Sequence, residues 1–126
     1  MADYNFLVVE DSPTMRQLIS FSLKRLRGAR IVEAGNGVEA LKKLSENKFN
    51  LIVADINMPL MDGLKLLSIV RKDPNHSQVP VIIVSTEGTE ADKEKGMNLG
   101  ANAYLPKPIQ TNELLRTVKE LLKIGD

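Results

Sequence analysis

Six side chains with chemical capacity each sit at the end of a short apolar run. Glu10 and Asp11 follow Phe6 to Val9, Asp55 follows Leu51 to Ala54, Ser85 and Thr86 follow Val81 to Val84, and Lys107 comes just after Ala103-Tyr104-Leu105. Brought together, they would make a cleft of three carboxylates, two hydroxyls and one ammonium. Carboxylates about 4 Å apart repel by about 4 kcal/mol at the effective dielectric near a protein surface. A fold that gathers them therefore needs a cation or a trapped proton to hold them. Oxygen ligands without His or Cys select a hard ion, and an open carboxylate site shared with phosphate is the usual magnesium arrangement. Taken singly, the same residues have plainer roles. Acids after strands cap helices, and Asp11-Ser12-Pro13 reads as a helix opening with Pro13 in the first turn. Lys107 stands between Pro106 and Pro108, which remove neighbouring N–H donors and restrict the backbone. The joint placement is the informative feature.

The elements that position these residues follow from hydrophobic patterning. Phe6 to Val9, Leu51 to Ala54 and Val81 to Val84 are uninterrupted apolar runs, the pattern of parallel strands buried on both faces. Weaker strands are expected at Arg30 to Glu33 and Ala103 to Leu105. Successive strands start about 20 to 30 residues apart, which is room for a strand-helix-strand crossover. Met15, Leu18, Ile19, Ser22 and Leu26 follow the 3-4 spacing of a helix, as do Leu114, Leu115, Val118, Leu121 and Leu122. Asn36 is placed to cap a helix through Val38 to Leu41, with Glu39 three residues on to complete a capping box. Gly35-Asn36-Gly37 lacks the rest of a dinucleotide fingerprint and reads as a plain cap. His76, after Asp73-Pro74-Asn75, is expected to be an exposed loop residue. The result is an α/β chain whose doubly wound parallel sheet carries helices on both faces, a three-layer sandwich with its site at the carboxyl ends of the strands.

The 126 residues suit one domain spanning 1–126 with no output domain, and 17 Lys+Arg against 16 Asp+Glu leave a formal charge of +1. Near-neutrality argues against nucleic-acid or membrane binding driven by bulk charge. The absence of Cys excludes thiol catalysis, thiolate zinc sites and disulfides. No apolar run exceeds four residues, and no basic stretch precedes an apolar one at the start, so a cytoplasmic location without membrane insertion is expected.

Leu7-Val8-Val9-Glu10-Asp11, Asp55-Ile56-Asn57-Met58-Pro59-Leu60-Met61-Asp62-Gly63, Val84-Ser85-Thr86-Glu87 and Lys107-Pro108 together resemble the signature set of receiver domains, the phosphoacceptor modules of bacterial two-component response regulators. The resemblance covers essentially the whole chain. It implies a flavodoxin-like (βα)5 fold with strand order 2-1-3-4-5 and a cis Lys107-Pro108 bond. By the same resemblance Asp55 is the nucleophile that takes a phosphoryl group from a phosphohistidine of a sensor histidine kinase, or from a small acyl phosphate. Asp11, Asp55 and the carbonyl of Asn57 ligate Mg2+, with Glu10 reaching it through water. Lys107, Ser85 and Thr86 contact the phosphoryl oxygens. Ser85 and Tyr104 form a switch that reshapes the face made by the fourth helix, fifth strand and fifth helix. Asn57 and Glu87 set how easily water reaches the phosphoryl group, and with Ser12-Pro13-Thr14-Met15-Arg16 they resemble chemotaxis-type regulators, implying a short-lived phosphate.

Implied partners are the kinase and a downstream effector such as a flagellar motor switch or a phosphotransfer protein, met by a monomer, with Arg116, Lys119 and Lys123 on the contacting face. The resemblance implies intrinsic autophosphorylation and autodephosphorylation rather than enzymatic turnover. An intermediate carrier in a phosphorelay is the alternative. A haloacid dehalogenase-like phosphatase would show Asp-x-Asp where this chain has Asp55-Ile56-Asn57. A flavodoxin would need phosphate-binding donors where Glu10, Asp11 and Pro13 stand.

Overall fold

The computed structural model describes residues 4–86 and 89–124. Strands and helices alternate: β1 (Tyr4–Val9), α1 (Pro13–Leu23), β2 (Ala29–Ala34), α2 (Gly37–Glu46), β3 (Leu51–Asp55), α3 (Gly63–Lys72), β4 (Val81–Ser85), α4 (Glu90–Asn98), β5 (Ala103–Pro106) and α5 (Thr111–Leu122). The sheet order is β2-β1-β3-β4-β5 with every pairing parallel. This is the flavodoxin-like arrangement.

Strand side chains alternate between faces, so each apolar run feeds two cores. Leu7, Val9, Ile52, Ala54, Val81 and Ile83 pack against Ala40 and Leu44 of α2 and Leu66, Leu67 and Val70 of α3. Phe6, Val8, Leu51, Val53, Ile82 and Val84 pack against Ile19 and Leu23 of α1 and Leu114 and Val118 of α5. Coverage of both faces explains why all five residues of β3 and all five of β4 are buried, Asp55 and Ser85 included.

The caps are local chemistry. The Ser12 hydroxyl accepts the Met15 N–H at 3.3 Å, with Pro13 opening α1. The Asn36 Oδ1 accepts the Glu39 N–H at 2.8 Å, as its spacing predicts. Backbone pairing carries β1 and β2 beyond their apolar runs, to Tyr4 opposite Ala29 and Val9 opposite Ala34.

Three expectations are corrected by tertiary contacts. Leu26 lies outside α1, in a tight turn where its N–H reaches the Leu23 carbonyl at 3.0 Å, yet it is buried in the α1-α5 core. Within the stripe itself, Leu18 points outward at 39 % exposure, while Ser22 is buried and its Oγ pairs with Thr111 Oγ1 of α5 at 2.8 Å. His76 is buried, with 2 % exposure, rather than an exposed loop residue. Its Nδ1 lies 3.0 Å from Asp73 Oδ2 and its ring lies 6.1 Å from that of Phe49. The hydrogen bonds from His76 and from the Asn75 N–H hold the Asp73 carboxyl below its usual range.

The loop that buries His76 is tied down by Arg71. Its guanidinium donates to the carbonyls of Val79 at 2.7 Å and Gly100 at 2.7 and 3.1 Å, and to Asn102 Oδ1 at 2.9 Å. Three chain segments thus meet on one planar fork, which a lysine cannot reproduce. Arg71→Ala leaves several carbonyls without a donor and is expected to cost about 2 to 4 kcal/mol. Urea unfolding checks this, and a midpoint equal to that of the parent chain would refute the role.

Candidate functional site

The strand order sets β1, β3, β4 and β5 side by side, so their carboxyl ends deliver residues far apart in sequence to one cleft. Glu10, Asp11 and Asp55 each offer one carboxylate oxygen, all within 4.8 Å of one another. Glu10 and Asp55 are buried and Asp11 is exposed. Lys107 Nζ bridges the buried pair, 2.6 Å from Glu10 Oε1 and 3.2 Å from Asp55 Oδ1. Four of the six side chains expected in the cleft are thus brought together.

The electrostatics follow from burial and proximity. Burial raises the Glu10 pKa and the Asp55 charge adds to it, with Lys107 and the Ser12 N–H only partly offsetting the rise. Burial alone would lower the pKa of Lys107, but the Glu10 hydrogen bond and the charges of Asp55 and Glu10 outweigh it and raise the value. The amine is therefore held as an ammonium facing two acids.

The remaining site residues are placed by the same ladder. Asp55 pairs with Val84, and Ser85 pairs with Pro106 on β5. Ser85 is fully buried as the last residue of β4, and Thr86 follows it exposed. Pro106 sits on an edge strand, where its missing N–H is tolerated, and the Lys107 N–H resumes pairing with the Ser85 carbonyl at 2.8 Å. The Lys107-Pro108 bond is cis. Asn57 donates its N–H to Asp55 Oδ1 at 3.2 Å, which orients the carboxylate. Tyr104 is half-buried on β5, its ring beside Gly96 of α4. Glu87 lies outside the described residues.

On α5, Arg116 is exposed, Lys119 is half-buried, and Lys123 falls beyond the helix as its left-handed C-cap with φ 57°. Arg116 and Lys119 thus lie within α5 and Lys123 at its carboxyl end.

Two further contributors are not evident from sequence pattern. Arg16, in the first turn of α1, donates to the Glu10 carbonyl at 2.9 Å and pairs with Glu33 Oε1 at 2.9 Å. Gly63 opens α3 directly beneath the end of β3, its N–H on the Ile56 carbonyl at 2.9 Å. A basic residue one turn after an acid pair, and a glycine just after a capping Asp, are the signals that could have drawn attention to them.

As a donor set the cleft suits a hard divalent cation: all the acidic oxygens come from carboxylates, one of them exposed, and no His or Cys joins the cluster. Among the described residues Asp11 has no ion pair to hold its charge.

The response regulator receiver domain profile matches residues 6–119. The chain belongs to the response regulator receiver domain family. The chain is 38% identical over 121 residues to chemotaxis protein CheY1 of Helicobacter pylori, covering 95% of this chain and 98% of that protein. It is 38% identical over 120 residues to a CheY homolog of Campylobacter jejuni, covering 94% and 92%. Among solved structures, chemotaxis protein CheY4 of Vibrio cholerae superposes with a TM-score of 0.90 at 33% identity, covering 96% of this chain and all of that one. The receiver domain of the sensor histidine kinase PA1611 of Pseudomonas aeruginosa, described with a magnesium ion coordinated in its active site cleft, gives a TM-score of 0.87 at 28% identity, covering 97% and 99%. This receiver is thus of the CheY type and a module of two-component signalling. Among the described residues, no helix is long and apolar enough to cross a membrane.

Proposed function

We propose that this receiver accepts a phosphoryl group on Asp55 from the phosphohistidine of a sensor histidine kinase, and then signals through the face formed by α4, β5 and α5. The reading rests chiefly on one observation: Lys107 bridges the buried Glu10 and Asp55 beside the exposed Asp11. In the transfer, an Asp55 carboxylate oxygen attacks phosphorus in line, the P–N bond breaks, and the imidazole leaves and takes up a proton. The product is a mixed anhydride on Asp55.

Asp11, Asp55 and the Asn57 carbonyl would hold Mg2+, with Glu10 reaching it through water. The ion offsets the negative charge on the phosphoryl oxygens when bound. From this chain, the Lys107 ammonium would do the same, and the Ser85 hydroxyl would donate to a phosphoryl oxygen, with Thr86 adjacent in sequence. The movement of Ser85 toward that group opens space for Tyr104 to turn inward and reshapes the neighbouring face. Ser lacks the methyl of the Thr more frequent in the family, which loosens that coupling. The relatives named as chemotaxis proteins support a chemotaxis role, and the effector class proposed for this chain is a flagellar motor switch or a phosphotransfer protein.

The test is incubation with acetyl phosphate, and with phosphorylated histidine kinases of the source organism, read by intact mass. One phosphoryl group is expected per chain with Mg2+ and none with EDTA. After removal of the donor the label should decay, as the likeness to chemotaxis-type receivers implies. Absence of uptake from every donor would refute the proposal.

A further inference from the structure

We propose that Arg16 is a positioning residue for the acidic pair that ends β1, fixing where Asp11 presents its carboxylate to a divalent cation. The inference rests on the reading above in taking that cation as the ligand of the site.

The chain passes from a buried strand to a helix through only Glu10-Asp11-Ser12, where no ladder runs on both sides. All the polar groups of Glu10 are nevertheless engaged. Its N–H donates to the Ala34 carbonyl at 3.0 Å, its Oε2 accepts the Ser12 N–H at 3.1 Å, and its Oε1 pairs with Lys107 Nζ at 2.6 Å. The remaining group, the carbonyl, accepts from an Arg16 guanidinium nitrogen at 2.9 Å. That carbonyl belongs to the same planar peptide unit as the Asp11 nitrogen, so pinning it fixes the plane from which the Asp11 side chain departs. Asp11 is exposed, and among the described residues its carboxylate makes no ion pair.

Arg16 is itself fixed. Its Nε donates to Glu33 Oε1 on β2 at 2.9 Å, so one rigid fork spans the end of β1 and the edge strand. The turn into α2 passes close by: a Cβ at Gly35 would lie 3.4 Å from the guanidinium. A lysine could serve one of the two acceptors and would leave the other unpaired.

Charge and positioning predict opposite signs. Loss of a positive charge beside a cation site tightens divalent binding, whereas loss of the pinned carbonyl loosens it. Residues that orient metal ligands typically change affinity by about 10- to 100-fold when replaced.

The experiment is Mn2+ binding to the full chain, followed by electron paramagnetic resonance, with Mg2+ competition at fixed ionic strength. Arg16→Gln and Arg16→Lys are both expected to weaken binding about tenfold. Glu33→Ala, which frees one end of the fork, should weaken it severalfold and keeps the test open if the Arg16 variants fold poorly. Amide resonances of Asp11 and Ser12 should shift in all three variants without metal. Tighter or unchanged binding in Arg16→Gln, or full affinity in Arg16→Lys, overturns the inference while leaving the phosphoacceptor reading intact. If the parent chain binds no Mn2+, or Asp11→Asn and Asp55→Asn leave binding unchanged, the phosphoacceptor reading fails and this inference falls with it.

Discussion

Asp55→Asn is expected to take up no measurable phosphoryl group from acetyl phosphate or from a phosphorylated histidine kinase, a fall of about 10³-fold or more, while folding as the parent chain does. The amide has the shape of the carboxylate, and its oxygen still accepts the Asn57 N–H that Asp55 Oδ1 accepts at 3.2 Å. Asp55 is buried beside Glu10, so the neutral side chain also removes one of two like charges that share Lys107. What is lost is the anionic nucleophile. Of the three acids only Asp55 sits within the sheet, oriented by its neighbour; Glu10 has both oxygens engaged by Ser12 and Lys107. Quantitative uptake by the variant would move the acceptor to another residue, with Asp11 the next to examine.

Gly63→Ala carries the largest expected cost in stability, about 3 kcal/mol or more. A Cβ there would stand 2.3 Å from the Asp55 carbonyl oxygen, 2.9 Å from Ile56 Cα and 3.0 Å from the Asp55 carbonyl carbon. All three are backbone atoms of the β3 exit, so no side chain can swing away. In an open helix, Gly to Ala favours folding by roughly 1 kcal/mol, so the steric effect must reverse the usual sign. Relief requires α3 to move away from β3, which breaks the Gly63 N–H bond to Ile56 at 2.9 Å and displaces the segment carrying Asn57. Phosphoryl uptake should therefore fall even in the folded fraction. Urea unfolding with parallel uptake measurements tests this, and an unchanged or higher midpoint would mean the β3-α3 turn is less tightly closed than its distances indicate.

Both substitutions show how unevenly the molecule could be read from its residues. Val81 to Val84 and Leu51 to Ala54 are legible as strands because a parallel strand covered on both faces must be apolar throughout. Asp55, Ser85 and Lys107 were then identifiable as strand-end residues. The Asn36 cap was equally plain, because it depends on an atom only three residues away. Leu26 and His76 were harder. Leu26 keeps the helical spacing but turns into the core after α1 has ended, and His76 is enclosed by a loop that Arg71 holds from the last turn of the helix before it.

The sequence by itself determined the alternation of strand and helix, the parallel sheet and the identity of the chemical groups, since these depend on periodicity, local capping and which residue follows each apolar run. Only the tertiary structure decided that Lys107 bridges Glu10 and Asp55, that Arg16 spans Glu10 and Glu33, and that Gly63 has no room for a methyl group. Those contacts depend on relative positions within a few ångströms, which the packing of α1 and α3 on the sheet sets and no linear pattern records.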